Sequence, residues 1–265
     1  MPDSPELPSG SVRSVLNALR ILEAIAELQP VAVAVLTRHL SLPKTTVHRG
    51  VLTLQEAGWV RPAGTELMRW RLTGKAMSLA LTASSDSGLR DAALAEMRGV
   101  RDATGETIHL GVAEEDSLVI IGRLDGTRSL RAYIPVGTKA PLLASAGGRA
   151  WMSALSDDEV DALLERDRHR YTDETITDLT ELRRRITAAR QAGYALNEGE
   201  WREGIAAIAT AILSPDGRPL ATMSLSIPLS RYREMDISET AQLLKSAARR
   251  ASTQAALDGG HNWTV

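Results

Sequence analysis

The chain has no cysteine and no phenylalanine, and only 3% of it is aromatic. Without cysteine there is no disulfide, no thiol nucleophile and no thiolate zinc site, and the composition suits a reducing cytoplasm. With so few rings, the interior must be built from Leu, Ile, Val, Ala and Met. No apolar run approaches the roughly 20 residues that a membrane helix needs. No basic n-region followed by an apolar h-region opens the chain, so secretion is not expected. The five histidines, His39, His48, His109, His169 and His261, form no H-E-x-x-H or other ligand spacing. No G-x-S-x-G elbow and no phosphate loop occurs. His109 falls in an expected strand, where a satisfied core or pocket histidine explains it better than a metal ligand does. The run Asp157-Asp158-Glu159 fits helix capping better than catalysis. No catalytic residue, metal or cofactor is therefore expected.

What the chain does have is an uneven charge. Its 265 residues, 43% hydrophobic and 24% charged, suit a soluble protein of two domains. Residues 33–75 hold seven basic side chains against two acidic ones, a net of +5. Residues 1–84 hold nine against six, a net of +3, so the rest must carry −5 to give the overall −2. A basic segment fused to an acidic body suggests that one end meets a polyanion.

Residues 1–10, rich in Pro and Ser, suggest a disordered lead-in. From Val12, apolar residues at Val15, Leu16, Leu19, Leu22 and Ile25 follow helical spacing until Pro30 stops the helix. Thr37 to Leu40 complete a second short helix. Ser41-Leu42-Pro43 is a turn, with Pro43 suited to the first position of a third helix. That helix runs to about Ala57, and Gly58 fits its C-terminal cap. Val47, Val51 and Leu54 form its inward stripe, and Lys44, Thr45, Thr46, His48 and Arg49 crowd the outer side of its first two turns. DNA-reading helices contact bases and phosphates from those turns. Two short strands, Trp59 to Pro62 and Leu67 to Leu72, flank the turn Ala63-Gly64-Thr65. They make a wing whose Arg61, Arg69 and Arg71 are free to meet phosphate or a minor groove. The N-terminal domain, 11–72, is thus expected to be a winged helix-turn-helix.

The stretch from Leu36 to Val60, LTRHLSLPKTTVHRGVLTLQEAGWV, resembles the N-terminal motif of IclR-type bacterial transcriptional regulators, L-A-x-x-L-G-L-P-K-S-T-V-H-R-L-L-x-T-L-x-x-x-G-x-V. Three positions depart from it. Thr37 stands for Ala, Ser41 for the turn glycine, and Gly50 for a helix-interior Leu. A left-handed backbone at Ser41 is costly, and Gly50 loses roughly 1 kcal/mol of helix propensity. None of the three lies on the basic face.

Residues 73–86 are read as a linker helix and polar hinge, within Leu72–Leu81 and Ser84–Ser87. Residues 87–258 form the second domain and 259–265 a flexible tail. An amphipathic helix from Leu89 to Gly105 precedes three expected strands, 106–114, 117–126 and 129–137. A glycine-rich loop, 138–149, then enters the helix AWMSAL. A capped helix begins at Ser156 and another spans 178–192. Three more strands, 193–200, 204–213 and 220–229, and a helix from about Ser238 to Leu257 close the domain. An antiparallel sheet of about six strands flanked by helices is an α+β sensor domain of the GAF-like kind. The resemblance extends here through ASAGGRA (144–150), GIAAIA (204–209) with Pro215-Asp216-Gly217, and Leu225-Ser226-Ile227-Pro228.

Small residues before a helix expose backbone N–H groups, which Ala146, Gly147 and Gly148 can supply. Ser224 and Ser226 alternate on one strand and point to the same face. A small carboxylate would satisfy both sets. The resemblance implies an effector between the glycine loop and the C-terminal strands, at Ala146, Gly147, Asn197, Ala207, Ser224 and Ser226. Asn197 replaces an acidic residue of some relatives and Ala207 a polar one, which implies a different or larger effector than the smallest keto acids. The expected protein is a cytoplasmic, ligand-responsive DNA-binding regulator. It would pair through its first and linker helices into a dimer or dimer of dimers on a pseudo-palindromic operator. A small-molecule-binding or hydrolytic module with an incidental helix-turn-helix is the competing reading. Only the first requires salt-sensitive binding to duplex DNA.

Overall fold

The computed structural model describes residues 12–64, 68–83, 87–166 and 169–258. The expected lead-in (1–10), the tail (259–265), the tip of the wing at Thr65 and the hinge residues Ser84 to Asp86 lie outside them. Two compact units divide the chain, Met1–Ser85 and Asp86–Val265.

In the first unit, α1 (Arg13–Leu28) buries Ile21, Ala24 and Ile25, three residues from one stripe. A two-residue strand, β1 (Val31–Ala32), leads into α2 (Val33–Leu40). Ser41 caps α2 with φ 52° and ψ 35°, the left-handed turn that a glycine would adopt without strain. Then follow α3 (Lys44–Glu56), β2 (Val60–Pro62), β3 (Arg69–Leu72) and α4 (Lys75–Ala83). Pro43 is the residue flanking α3, one position earlier than its sequence suggests, and Gly58 turns the chain out of it at φ 77°. The expected inward stripe of Val47, Val51 and Leu54 is buried, against Ile21, Ile25, Leu36 and Trp70. Each such aliphatic side chain contributes about 1.5–3 kcal/mol when fully buried. The strands form a three-stranded antiparallel sheet ordered β1-β3-β2. Leu72 belongs to β3, so the linker helix starts later than its apolar pattern indicates. Lys75 opens it, donating to Ala57 O (2.7 Å) at the C-terminus of α3 and lying 5.1 Å over the Trp59 ring. A cation there suits the helix dipole.

The second unit opens with α5 (Ser87–Thr104), β4 (Thr107–Glu114) and β5 (Ser117–Leu124). Next come β6 (Lys139–Pro141), α6 (Ala146–Met152), α7 (Asp157–Leu164) and α8 (Leu179–Ala192). It ends with β7 (Ala195–Glu198), β8 (Ile205–Leu213), β9 (Pro219–Pro228), α9 (Leu229–Tyr232) and α10 (Ile237–Asp258). The six strands are antiparallel and ordered β6-β5-β4-β9-β8-β7. One face packs Ile108, Leu110, Ile208, Met223, Leu225 and Ile227 against α5 and α10, through Met97, Leu244 and Ala247 among others. The other face carries small residues, and Ala195 and Ala209 let α6 approach through Ala146 and Ala150.

Two expectations fail in this unit. Residues 129–137 are not a strand. Alternate residues Ala132 and Ile134 are buried, which mimics strand periodicity, while Leu130, Tyr133 and Val136 are exposed. Pro135 has no N–H to give a ladder, and the sixth strand is instead the short β6. The stretch therefore crosses the sheet face as an irregular strap. Residues 138–149 are likewise not one loop. They contain β6, and α6 already begins at Ala146. The Ser145 side chain accepts from Gly148 N (3.0 Å), so the two glycines sit within the first helical turn.

Candidate functional site

Two surfaces carry the chemistry. On the first unit, Lys44, Thr45, His48 and Arg49 are exposed on α3, whereas Thr46 is half-buried. Thr46 and Arg49 line a groove between α1 and α3 together with Arg13 and Asn17. Gly50 explains how close the two helices come. A Cβ at this position would lie 2.5 Å from Cδ1 of Ile21, which is fully buried. The wing's register sets Arg61 directly opposite Arg71, with Arg69 two residues further along the same face. Trp70 points the other way into the core. Like charges held opposite one another are unfavourable. Among the described residues none of Lys44, Arg49, Arg61, Arg69 and Arg71 has a carboxylate within ion-pair distance. A polyanion relieves that repulsion.

On the second unit, a partly open cavity of about 40 Å³ lies between the sheet, the N-terminal turn of α6 and the strap. All six residues expected to hold an effector line it: Ala146, Gly147, Asn197, Ala207, Ser224 and Ser226. Strand register explains the convergence. Asn197 pairs with Ala207, Ala207 with Ser226, and Ser224 with His109, so neighbouring strands point their polar groups to one face. The N–H groups of Ala146 and Gly147 belong to the first turn and have no partner inside the helix. Gly148 is there for space, since a Cβ would fall 2.1 Å from the Leu142 carbonyl oxygen. At Gly147 a Cβ would press on Leu118 Cδ2 at 2.8 Å.

Several hydrogen bonds decide which atoms remain for a ligand. Asn197, 4% exposed, donates one N–H from Nδ2 to the Ala144 carbonyl, which leaves Oδ1 and the second N–H of the amide. His109, 1% exposed, accepts the Ile134 N–H on Nε2 at 3.0 Å. Its proton is therefore on Nδ1, which lies 3.4 Å from Ser226 Oγ. Burial pushes the imidazole pKa down to about 4, although a bond to the Ser224 backbone acts in the opposite direction. The ring is neutral at physiological pH and ties the strap to the sheet. Arg149 is buried in α6. It forms a bidentate pair with Glu200, itself 4% exposed, and also donates to the Leu196 carbonyl. The Glu200 carbonyl in turn accepts from Thr175 Oγ1 at 2.6 Å. This pair fixes the segment that carries Trp201 and Arg202, two further lining residues.

Sequence reasoning missed Ser145, Tyr133, Ile134, Trp201 and Arg202 as lining residues. Ser145 was recoverable as a helix N-cap three residues before Gly148. Tyr133 and Ile134 were hidden by the strand reading of the strap, and no local pattern marks Trp201 or Arg202. Among the described residues no group of His, Asp and Glu is arranged to hold a metal ion, and no helix is long and apolar enough to cross a membrane.

Two family descriptions match the chain: the IclR helix-turn-helix domain over residues 14–64, and the bacterial transcriptional regulator IclR C-terminal domain over residues 81–253. The HTH-type transcriptional regulator KdgR of Escherichia coli (strain K12) is 34% identical over 245 residues, covering 92% of this chain and 93% of that one. The transcriptional repressor IclR of the same organism is 30% identical over 245 residues, covering 91% and 89%. Among solved structures, an IclR homolog from Microbacterium hydrocarbonoxydans complexed with 4-hydroxybenzoate has a TM-score of 0.79 at 25% identity, covering 92% of this chain and 99% of that one. The Thermotoga maritima IclR shares the fold, with a TM-score of 0.76 at 24% identity over 93% and 99%. The named relatives are transcriptional regulators, not enzymes. With a helix-turn-helix unit for DNA and a C-terminal unit for an effector, this chain belongs to the IclR family of bacterial transcriptional regulators.

Proposed function

We propose that the protein binds a pseudo-palindromic operator as a dimer or a pair of dimers, and that a small organic acid in the effector cavity changes its affinity for that operator. The observation that carries the effector half is the convergence of Ala146, Gly147, Asn197, Ala207, Ser224 and Ser226 on one cavity. The operator half rests on cations of α3 and the wing that have no carboxylate partner among the described residues. Lys44, Thr45, Thr46, His48 and Arg49 read the major groove, and Arg61, Arg69 and Arg71 hold the adjacent backbone or minor groove. Pairing is supported by apolar residues left in water: Val12, Val15 and Leu19 before and along α1, and Met77 and Leu79 on α4. A two-fold pair reads two half-sites. An effector acts by binding more tightly to one of the two arrangements of the reading heads. Relatives named as repressors favour repression. The solved homolog that holds 4-hydroxybenzoate favours an acid with an apolar body. The cytoplasm is the matching location.

The test is fluorescence anisotropy of a labelled duplex from upstream of the protein's own gene, titrated with the full chain in the presence of aromatic and aliphatic acids. At least one acid should shift the operator affinity several-fold and also raise the melting temperature. If every acid leaves both unchanged, the effector reading fails.

A further inference from the structure

We infer that residues 129–136 of the strap are the gate of the effector cavity: they lift from the sheet to admit the ligand, and the Ile134–His109 hydrogen bond is the latch. This rests on the cavity being the effector site and concerns how that site is reached.

The first observation is one of size. The cavity holds about 40 Å³. That is room for about three waters at roughly 10–15 Å³ each, against roughly 300 Å³ for the smaller ligand sites of proteins. A wall has to move before an organic acid of more than a few atoms fits. Two of the three walls are fixed. Antiparallel ladders join β4, β9, β8 and β7. The helix α6 packs on Ala195 and Ala209, its Arg149 is paired with buried Glu200, and its Gly148 lies against the Leu142 backbone.

The second observation is how the third wall is held. Its ends are pinned by backbone groups. At one end Thr127 N donates to Gly105 O (3.1 Å) and Gly126 N to Thr107 Oγ1 (3.1 Å). At the other, Gly137 N donates to Ile120 O (2.7 Å) and Ile120 N to Thr138 O (3.0 Å). Between them, among the described residues, no backbone group of 129–136 bonds to the backbone of a strand. Three side chains tether the segment instead. Arg231 donates to Leu130 O (2.8 Å), Arg123 lies 4.9 Å from the centre of the Tyr133 ring, and His109 Nε2 accepts from Ile134 N (3.0 Å). Ala132 and Ile134 are buried, whereas Leu130, Tyr133 and Val136 already stand in solvent. Lifting the segment therefore breaks side-chain tethers and no ladder. Of the three tethering side chains, only His109 lines the cavity.

The experiment uses the absence of cysteine, which lets a single introduced thiol report opening without background. Ser226 and Thr222 lie on one face of β9 and are 2% and 0% exposed. Ser226 lines the cavity, whereas Thr222 lies under Gly147 of α6. Full-length S226C and T222C are reacted with Ellman's reagent in native buffer, alone and combined with H109L, H109Q or R123Q. S226C should react at least about tenfold faster than T222C, because local opening is more frequent than unfolding of the whole unit. H109L should speed S226C about fivefold, as for the loss of one net hydrogen bond. H109Q, whose amide oxygen can accept the Ile134 N–H, should stay closer to wild type. R123Q frees the Tyr133 ring and should speed S226C about twofold or more. T222C should keep its rate in all three backgrounds. Equal rates at the two thiols overturn the gate, as do S226C rates that ignore both H109L and R123Q. An equal rise at both thiols in R123Q overturns it too, since that reads unfolding of the whole unit. Neither thiol needs a ligand, so a fixed strap would leave the effector reading standing, to be judged by the acid panel alone.

Discussion

Lowering the pH through the histidine range should loosen the second unit through His109. The folded imidazole has its pKa pushed down to about 4, mainly by burial, against an ordinary value of 6.5. Between those values the unfolded chain binds a proton that the folded chain refuses. Stability is therefore complete above about pH 6.5 and is lost as the pH falls toward about 4. A difference of about 2.5 pKa units at 1.36 kcal/mol each amounts to about 3 kcal/mol, of which about 2 kcal/mol is gone by pH 5. That is a large share of the roughly 5–15 kcal/mol of net stability typical of a folded domain. The perturbation is a pH step from about 7 to about 5 on wild type and H109Q, followed by urea unfolding. Wild type should show the larger drop in midpoint, and the glutamine variant should lose about 2 kcal/mol less over the same step. Amide exchange at Ile134 should accelerate with the step in wild type, because a protonated Nε2 cannot accept its N–H. Equal pH slopes in the two proteins would refute the assignment of His109 as the neutral tether of the strap.

Three other perturbations follow from particular contacts. Gly148→Ala places a Cβ 2.1 Å from the Leu142 carbonyl oxygen, a backbone atom with no rotamer to yield, so thermal melting should show a loss of several kcal/mol or no folded protein. Arg149→Met leaves Glu200 buried without its partner and should cost about 3–5 kcal/mol, whereas the double variant with Glu200→Gln should recover part of that in denaturant titrations. Replacing Arg61, Arg69 and Arg71 together by alanine should reduce the slope of log affinity against log salt by up to about 3 for duplex DNA, at roughly 0.9 per lost phosphate contact. A slope equal to that of wild type would remove the wing from the DNA surface.

How much of this was legible in the sequence differs between the units. The helix-turn-helix is local. A charged first turn, a three-residue turn and the stripe Val47, Val51 and Leu54 lie within two dozen residues, and the observed α3 and its burial follow them. Thr46 is the exception. It lies toward α1, a neighbour that a helix pattern read alone does not reveal. The strap mimics a strand because Ala132 and Ile134 are buried in alternation, while Pro135 lacks the N–H a ladder needs and Ile134 N–H goes to the His109 ring instead. The polar wall of the cavity was partly legible, since period two puts Ser224 and Ser226 together. Its closure by His109 and Asn197 depends on strand order, which places residues more than a hundred positions apart side by side. The Arg149–Glu200 pair and the presence of Arg202 in the cavity lining arise from tertiary packing alone.

The central claim is that the exposed face of α3 reads operator DNA. The most direct measurement is the affinity of Arg49→Ala for a duplex from upstream of the protein's own gene, beside its melting temperature. Arg49 is exposed, with no ion-pair partner among the described residues, so its removal should leave the melting temperature within about a degree of wild type, as for surface substitutions generally. Specific binding should fall to the level of unrelated DNA. Operator affinity that survives the substitution, with the fold intact, would contradict the account.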